Sequence, residues 1–550
     1  MNRKQSVKNS LRFLFLTCFL FTAPLKGAAQ NPGGGPSLSG SMGSTTIGQE
    51  QFYRISMRPD IPIGSWGMAL DIELFIDSDG DVSARGWQFG SSTEALYSFL
   101  RKIYYVRYGR SEDPVHIKIG ALEGIRLGYG LIMSDYRNTL QYPGIKKTGI
   151  QFTLRDIAGT SIGLEGVINN IQDMNEGGAL VGLRTFASPI EKIEVGLTYV
   201  VDLDQYSGLI DGDGDGFPDA IDAFPSNSNI ALDNDNDGIP DQTDSDDDND
   251  GIIDIDEESG YNADVANRLR SLNADYGDTF PVDTDVKRKK PFNKSAVGRD
   301  RFAIVGLDVA YTLSDAKQMR LKAYAQLALL IDDDDELNAF ASAEQGLFPG
   351  DRRATGWGIA APGLWLNTDA LDGQIEFRHF RNDFSARYFD ALYELDRARI
   401  DLSSGRARSK DALLTGSEPL SGVFGRLGAN LGAYMYASAA YQYLSGRNNP
   451  QQQLLTSAHL SSTLLSSIPR LTRARVYYQK DNIGMRLSSD GIQSDGFFEE
   501  TEDTFYGYEI GLEMNGGVSI ICDVRYVFNR DADDQIRRQK IMVIETVFNF

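Results

Sequence analysis

The stretch MRLKAYAQLALLI, residues 319 to 331, alternates apolar and polar side chains. Leu321 and Leu327 fall on one face, and Arg320 and Lys322 fall on the other. Successive side chains of a β-strand point to opposite faces, so the pattern predicts a strand with one apolar and one polar face. The same alternation recurs in VGLDVAYTL (305–313), GQIEFR (373–378) and VSIICDVRYVFNR (518–530). The chain is therefore predicted to be all-β.

The connections between these candidate strands separate a membrane barrel from a soluble sandwich, since strands alternate in both. Beyond residue 146, tight turns such as DIAG (156–159) and NGG (515–517) alternate with long polar loops, including 203–299 and 383–418. Turns at one rim and long loops at the other are typical of transmembrane β-barrels. We therefore expect a transmembrane antiparallel β-barrel of about 18 strands, within a range of roughly 16 to 20.

The last ten residues, IMVIETVFNF, add an independent signal. Met542, Ile544, Thr546, Phe548 and Phe550 share one face, and the chain stops on an aromatic residue. This segment resembles the terminal strand of Gram-negative outer-membrane β-barrels. The resemblance implies an outer-membrane location among lipid and lipopolysaccharide, and recognition by the barrel-assembly machinery.

The N-terminal region follows other patterns. A basic start leads into the apolar run LRFLFLTCFLFTAPL (11–25), which predicts a secretory signal peptide. Cys522 is the only cysteine beyond it, so no internal disulfide is expected. The predicted divisions are a signal peptide (1–29), a flexible Gly- and Ser-rich lead (30–48), a first part of the barrel (49–202), a loop insertion (203–299) and a second part of the barrel (300–550).

Strands are harder to count before residue 146 than after it, where about fifteen are expected. The segment SSTEALYSFLRK (91–102) is predicted to be helical and interrupts the series. The strand candidates in this region are FYRISM (52–57), WGMALDIELFID (66–77), KIYYVRYG (102–109), VHIKIGAL (115–122) and IRLGYGLIM (125–133).

Most of the chain's acidity is local, because residues 211–258 hold 18 of its 77 acidic residues and no Lys or Arg. A local excess of carboxylates indicates a cation site and argues against nucleic acid as a partner. Three blocks in this region follow D-x-D-x-D-G-x-x-D-x-x-[DE]: DGDGDGFPDAID (211–222), DNDNDGIPDQTD (233–244) and DDDNDGIIDIDE (246–257).

This spacing suits a calcium loop. Oxygens at the first, third and fifth positions converge, the glycine permits a sharp turn, and the following carbonyl and final carboxylate complete the sphere. Calcium is preferred over magnesium because such a loop offers six to eight oxygens. The predicted ligands are Asp211, Asp213, Asp215, Phe217, Asp219, Asp222, Asp233, Asp235, Asp237, Ile239, Asp241, Asp244, Asp246, Asp248, Asp250, Ile252, Asp254 and Glu257.

These blocks are similar to the thrombospondin type 3 repeat, which has this run of aspartates and implies calcium held by a winding chain with little helix. The match departs from the animal form because it lacks cysteines. The alternative reading is a solvated acidic linker. A basic run follows in KRKKPFNK (287–294), which could contact lipopolysaccharide phosphates, fold back on the acidic blocks, or be an ordinary solvated loop.

The alternation also predicts which charges face the lumen. Such charges either tune a pore or pair with one another. They are Arg320, Lys322, Arg378, Arg473, Arg475, Arg525, Glu376, Asp308, Asp523 and Glu545.

Two functions are compatible with these patterns. The first is a porin-like channel or transport component with a calcium-binding external loop. The second is a non-conducting surface protein for adhesion or for assembly with other outer-membrane proteins. Catalysis is not expected, because the only histidines are His116, His379 and His459, and the pairing of His379 with Asp383 is weak evidence for an active site.

Overall fold

The structure is a computed structural model. It describes residues 37–47, 50–77, 79–83, 86–142, 145–247, 291–316, 318–332, 354–401, 405–414, 418–446, 450–483, 486–488, 491–493, 496–515, 517–530 and 536–549. The predicted signal peptide (1–29) and the third acidic block from residue 248 onward lie outside the described residues.

The described residues form mostly strands. The strands are β1 (Ser37–Ile47), β2 (Glu50–Ile63), β3 (Trp66–Leu70), β4 (Ile72–Ile76), β5 (Val82–Ser83), β6 (Ile103–Tyr108), β7 (Val115–Gly120), β8 (Gly149–Leu154), β9 (Ile162–Ile168), β10 (Leu180–Ile190), β11 (Ile193–Asp202), β12 (Phe302–Ala316), β13 (Met319–Asp332), β14 (Gly356–Thr368), β15 (Leu371–Asn382), β16 (Ala398–Asp401), β17 (Arg406–Ser409), β18 (Leu420–Leu431), β19 (Met435–Ser445), β20 (Gln451–Leu460), β21 (Leu471–Ile483), β22 (Arg486–Ser488), β23 (Gly491–Gln493), β24 (Thr504–Asn515), β25 (Val518–Arg530) and β26 (Ile536–Asn549). Short α-helices span Ser92–Leu100, Ile171–Glu176, Tyr393–Asp396 and Ser462–Ser467, and 3₁₀ turns span Ile157–Gly159, Gln205–Gly208 and Asp411–Leu413.

The sheet closes on itself into an antiparallel barrel. Neighbouring wall strands pair in chain order, and β26 pairs with β1 from Ser39↔Asn549 to Ser44↔Ile544. Both β3 and β4 pair with β2, so they share one position in the wall, and β5 and β6 share the next. The wall therefore has 20 positions, while the hairpins β16–β17 and β22–β23 are separate two-stranded sheets.

The observed barrel confirms the predicted class, and its 20 strands reach the upper end of the predicted range. Fifteen wall strands follow residue 146, as predicted. The predicted helix at 91–102 is confirmed as Ser92–Leu100, where Ser91 and Glu94 form a reciprocal capping box.

Two N-terminal predictions were wrong. Residues 37–47, expected to belong to a flexible lead, form β1 and complete the seam, because backbone pairing with β2 and β26 needs no apolar side chains. The segment IRLGYGLIM (125–133), expected as a wall strand, turns into the lumen instead. Its backbone departs from extended geometry at Gly128 and Gly130, which have positive φ angles of 56° and 87°.

The alternating faces are those predicted. In β12, the apolar Leu307, Val309 and Leu313 expose 45 to 56% of their surface, whereas Asp308 and Ala310 between them are buried. The outside of the wall is thus apolar and the inside carries the charged groups, which is the arrangement of a barrel in lipid. Among the described helices, none has the length and apolar character needed to cross a membrane.

The two rims differ. Turns such as 64–65, 191–192 and 369–370 join strands at one rim, which we call the inner rim. The long connections, including 203–301 and 383–419, leave the opposite, outer rim.

The seam generates a prediction about β1. A Cβ atom at Gly43 would overlap the carbonyl oxygen of Ile544 in β26, whereas a Cβ at Gly40 would meet the Ser56 oxygen at 3.5 Å, an ordinary contact. Gly43→Ala should therefore destabilise the closed barrel by about 1–3 kcal/mol, the usual effect of overpacking. Urea unfolding in detergent, followed by the heat-modifiable gel shift, measures this change. Gly40→Ala is the matched control, and equal stability of the two variants would contradict the seam.

Candidate functional site

Residues 121–142 and 145–148 lie in the lumen, and we call them the first lumen segment. It leaves the outer end of β7 and returns to β8. Lumen-facing side chains from opposite parts of the wall hold it. Gln326 accepts a hydrogen bond from the Leu131 N–H (3.3 Å), Gln374 donates to the Tyr129 carbonyl (2.8 Å), and Arg525 donates to the Leu140 carbonyl (2.7 Å). The segment therefore crosses the channel.

Residues 383–401 and 405–414, the second lumen segment, meet the first segment inside the barrel. The Arg387 N–H donates to the Leu131 carbonyl (2.7 Å), and the Phe389 N–H donates to the Ile132 carbonyl (3.3 Å). Met133 and Phe389 form a parallel β-bridge. Side chains from both segments, including Leu131 and Tyr393, belong to one buried apolar cluster with wall residues. The two segments therefore pack against each other and against the wall inside the barrel.

Buried ion pairs lock this contact. Glu394 bonds to Lys147 and to the Tyr136 hydroxyl of the first segment, and accepts a hydrogen bond from Asn169 at 3.2 Å. Arg397 donates two hydrogen bonds, of 2.5 and 2.6 Å, to the carboxylate of Asp202 at the end of β11. Glu394, Arg397 and Asp202 are all almost fully buried, so each depends on its partners for charge compensation.

The lumen-facing charges follow the second of the two predicted behaviours, since most of them are paired. The pairs are Arg378–Glu376 (2.5 Å), Arg184–Asp308 (2.7 Å), Lys322–Glu194 (3.1 Å), Arg525–Asp523 (2.7 Å), Arg473–Glu509 (2.6 Å), Arg320–Asp315 (3.5 Å) and Arg54–Glu545. Arg475 lies over the ring of Tyr477 at 5.7 Å. Paired charges stabilise a polar, filled interior.

The first two acidic blocks lie in the insertion that follows β11. Carboxylate oxygens of Asp211, Asp213 and Asp215 lie within 4.8 Å of one another. The corresponding oxygens of Asp233, Asp235 and Asp237 do the same. The structure thus brings together the first three predicted ligands of both blocks, while Asp248, Asp250, Ile252, Asp254 and Glu257 of the third block lie outside the described residues.

Both blocks form the same loop. The first aspartate accepts a hydrogen bond from the N–H of the glycine, Asp211 from Gly216 (2.9 Å) and Asp233 from Gly238 (3.0 Å). The ninth residue of each block, Asp219 or Asp241, accepts one from the N–H of the second. The two glycines have φ angles of 101° and 91°, so the predicted sharp turn is confirmed at both.

Several oxygens of the first block suit a cation. The Oδ2 atoms of Asp213 and Asp222 are buried and accept no hydrogen bond from the described residues. Asp222 is only 8% exposed. Burial raises the pKa of Asp222, the hydrogen bond from the Phe224 N–H lowers it, and the carboxylates of Asp215 and Asp213 raise it, so that it lies at about 6. A bound divalent cation would supply the missing positive charge.

The remaining predicted ligands are not all directed at these clusters. Asp244 accepts hydrogen bonds from the N–H groups of Ser245 (2.6 Å) and Asp246 (3.2 Å). Phe217 and Ile239 donate their own N–H groups to Asp215 and Asp237. These contacts fix the turn and leave the proposed role of the two carbonyls as a prediction.

The insertion packs directly on the second lumen segment. Tyr206 and Phe292 from the insertion form a buried cluster with Ala398 and Ala407 of the β16–β17 hairpin, with Ile221 of the first acidic block packed against it. The Phe292 N–H donates to the Gly405 carbonyl at 2.7 Å. Sequence analysis missed this contact, because nothing in either segment's own pattern identifies its partner.

The basic run has one informative contact. Residues 287–290 lie outside the described residues, but the Lys294 N–H donates to the Gly216 carbonyl at 2.7 Å. The end of the run therefore folds back on the first acidic block, which was one of the predicted alternatives.

His379 and Asp383 each bond to a partner on another part of the chain. His379 Nδ1 lies 2.7 Å from the Ser421 hydroxyl, and Asp383 accepts a hydrogen bond from the Thr355 N–H at 3.0 Å. His116 and His459 lie on β7 and β20.

Comparisons with known proteins assign the chain to no family. No family model and no curated protein sequence matches the chain. Among solved structures, CdiB from Acinetobacter baumannii aligns over 94% of this chain and 60% of its own, with 6% identity and a TM-score of 0.24. OccD3 from Pseudomonas aeruginosa aligns over 96% and 95%, with 9% identity and a TM-score of 0.30. The FrpB iron transporter from Neisseria meningitidis aligns over 96% and 82%, with 8% identity and a TM-score of 0.34. The chain thus spans about three fifths of CdiB. At these identities and TM-scores, the similarities assign no function to it.

The buried ion pair of the second lumen segment can be tested by mutation. Arg397→Ala leaves Asp202 buried without its counter-charge, so we expect about 3–5 kcal/mol of destabilisation. Arg399→Ala removes a partly exposed arginine that pairs with Asp396 at 2.6 Å, so we expect a loss of about 1 kcal/mol or less. Urea unfolding of both variants in detergent measures the difference. Equal stability would show that the Asp202 contact does not hold the segment.

Proposed function

We propose that the protein is an outer-membrane transport barrel whose channel is closed by its own loops. The observation that carries this proposal is a closed, externally apolar barrel of 20 strands with two loop segments folded into the lumen. Closing the sheet lets the wall strands pair their backbone groups within lipid. The two lumen segments are held to the wall mostly by side-chain contacts. The resemblance of the last strand to those of outer-membrane barrels supports both this location and delivery by the barrel-assembly machinery.

Transport requires that the two lumen segments can move. Most neighbouring wall strands are held together by backbone ladders of nine or more residue pairs, as in β12–β13. The two lumen segments share only a few backbone hydrogen bonds with each other. Their polar contacts with the wall could be exchanged for water, so rearrangement would leave the wall intact.

A planar-bilayer experiment tests the channel. Replacing residues 385–413 by a short Gly-Ser linker removes most of the second lumen segment, so single-channel conductance should rise several-fold over that of the intact protein. The control replaces the β22–β23 hairpin, which lies outside the wall sheet, and should leave the conductance unchanged. A correctly folded deletion variant that conducts no more than the intact protein would contradict the proposal.

The filled lumen also favours a second candidate, a non-conducting surface protein for adhesion or for assembly with an outer-membrane partner. In that case the insertion would be the binding element. Deleting residues 211–257 separates the two functions, because a channel keeps its permeability whereas a binding protein loses its partner.

We further propose that the external insertion binds calcium through thrombospondin type 3-like loops. Asp211, Asp213 and Asp215, with Asp222, would hold one ion, and Asp233, Asp235 and Asp237 would hold another. Two observations support this assignment: the carboxylates cluster, and buried oxygens of Asp213 and Asp222 accept no hydrogen bond from the described residues. Bound calcium would neutralise the clustered charge and keep the loops compact.

The number of calcium ions bound per protein can be measured directly. The double variant Asp213→Asn and Asp215→Asn should bind one calcium fewer than the intact protein in equilibrium dialysis, because the first block loses two of its charged ligands. Asp315→Asn is the matched control, since that aspartate is exposed near the inner rim. An unchanged stoichiometry in the double variant would contradict the assigned ligands.

A further inference from the structure

Four neighbouring wall strands are short. Strands β6, β7 and β8 have six residues each and β9 has seven, whereas the other wall positions have ten or more. The missing length is at the outer rim. Strand β4 remains paired with β2 up to Tyr53↔Ile76, but β3 and β6 separate after Leu70↔Ile103. The wall therefore has a notch in its outer half, and β5 covers only the tip of β4.

A strand needs about 9–11 residues to cross the apolar part of a membrane, so the wall at the notch is too short to do so alone. Residues 86–101, which we call the strap, lie across it. The Trp87 indole donates to the Glu73 carbonyl of β4 (2.7 Å), and the Tyr97 hydroxyl accepts from Asn175 beyond β9 (2.9 Å).

The strap has the structure that lipid demands. Its helix, Ser92–Leu100, satisfies its own backbone, and the capping box at Ser91 satisfies its first turn. Phe89, Leu96 and Phe99 expose 52 to 66% of their surface. Side-chain hydrogen bonds join the strap to its neighbours, whereas neighbouring strands are joined by backbone ladders, so the strap can be displaced while those ladders stay paired.

Behind the strap lies a charged cluster in which Lys102 forms no ion pair with any described residue. Lys146 contacts Asp71 and Glu73 at 2.7 Å each. Lys102 is 8% exposed, and its Nζ finds no hydrogen-bond acceptor among the described residues, lying 4.1 Å from the Trp87 ring centroid. The cluster comprises the cations Arg54, Arg58, Lys102 and Lys146 and the carboxylates Asp71, Glu73 and Glu545.

We propose that the notch is a binding site for a membrane lipid with an anionic phosphate head group. An ammonium at membrane depth is costly without a counter-charge. The head group would reach Lys102 when the strap is displaced, and the acyl chains would lie along the apolar face formed by Phe89, Leu96 and Phe99. This site rests on the proposed placement of the barrel in a membrane, and it opens sideways toward lipid, independently of the filled lumen.

Trp87 provides the probe. Replacing Trp66, Trp357 and Trp365 by Phe leaves it as the only tryptophan. Titrating this variant in detergent with short-chain phosphatidylglycerol should give a saturable change in Trp87 emission. Phosphatidylcholine with the same chains should bind at least about tenfold more weakly, because its net charge is zero. A response that does not saturate, or that is equal for both lipids, would overturn the site.

Mutations in the same background assign the response to Lys102. Lys102→Gln should weaken phosphatidylglycerol binding by about tenfold, and Lys102→Arg should retain it. Lys192→Gln, in an exposed turn of the inner rim, is the matched control and should bind as the parent does. Unchanged affinity in a folded Lys102→Gln variant would overturn the assignment, with folding checked by heat-modifiable migration.

Two further arms separate the possible failures. Inorganic phosphate at millimolar concentration should not change Trp87 emission, and a response like that of phosphatidylglycerol would replace the lipid with a solution anion and overturn the lipid site. Insertion into vesicles is measured independently. Failure to insert would remove the proposed function, whereas a folded, inserted barrel without the lipid response would remove only this site.

Discussion

Pairing of every backbone N–H and C=O group is the constraint on which this structure depends. In lipid, a strand edge has no water to satisfy it, so a sheet must close. Here closure falls on β1 and β26, where Gly43 lies so close to Ile544 that no side chain fits. Where four strands are too short to continue the ladder, a helix takes over, since it satisfies the same constraint internally. The wall and the strap are two solutions to one problem.

The wall could be predicted from sequence because its signal is local. Alternation in β12, β13 and β25 distinguishes lipid-facing from lumen-facing positions, and the connection lengths distinguish the two rims. Strand β1 escaped prediction because SLSGSMGSTTI has little apolar alternation, and its pairing energy comes from the backbone. The opposite error at 125–133 has a related cause. Leu127, Leu131 and Met133 are apolar residues like those on the lipid-facing side of a strand, but they are buried in the lumen.

The acidic blocks show the same division between local and distant information. The turn at Gly216 and Gly238 follows from a few residues in fixed order, so the sequence predicts its shape well. The packing of the two lumen segments depends on contacts between distant residues, such as Tyr136 and Glu394, which lie 258 residues apart in the chain. A single sequence does not reveal such a partner. The glycines at 124, 128 and 130 were the available signal that this segment is not a strand, since all three adopt positive φ angles.

The end of β11 contacts both the insertion and the second lumen segment, which links the acidic blocks physically to the interior of the barrel. Asp202 closes β11, binds Arg397 of the second lumen segment, and leads directly into the turn at Gln205–Gly208. Gln205 accepts a hydrogen bond from the Tyr388 hydroxyl at 2.8 Å, and Ile221 of the first acidic block packs near Ala398. Order in that block therefore stabilises the hairpin on which the second segment ends. Buried charges such as Arg397 are destabilised when they lose their partners. Loosening the insertion would therefore weaken the packing of the second lumen segment first, while the backbone ladders of the wall stay paired.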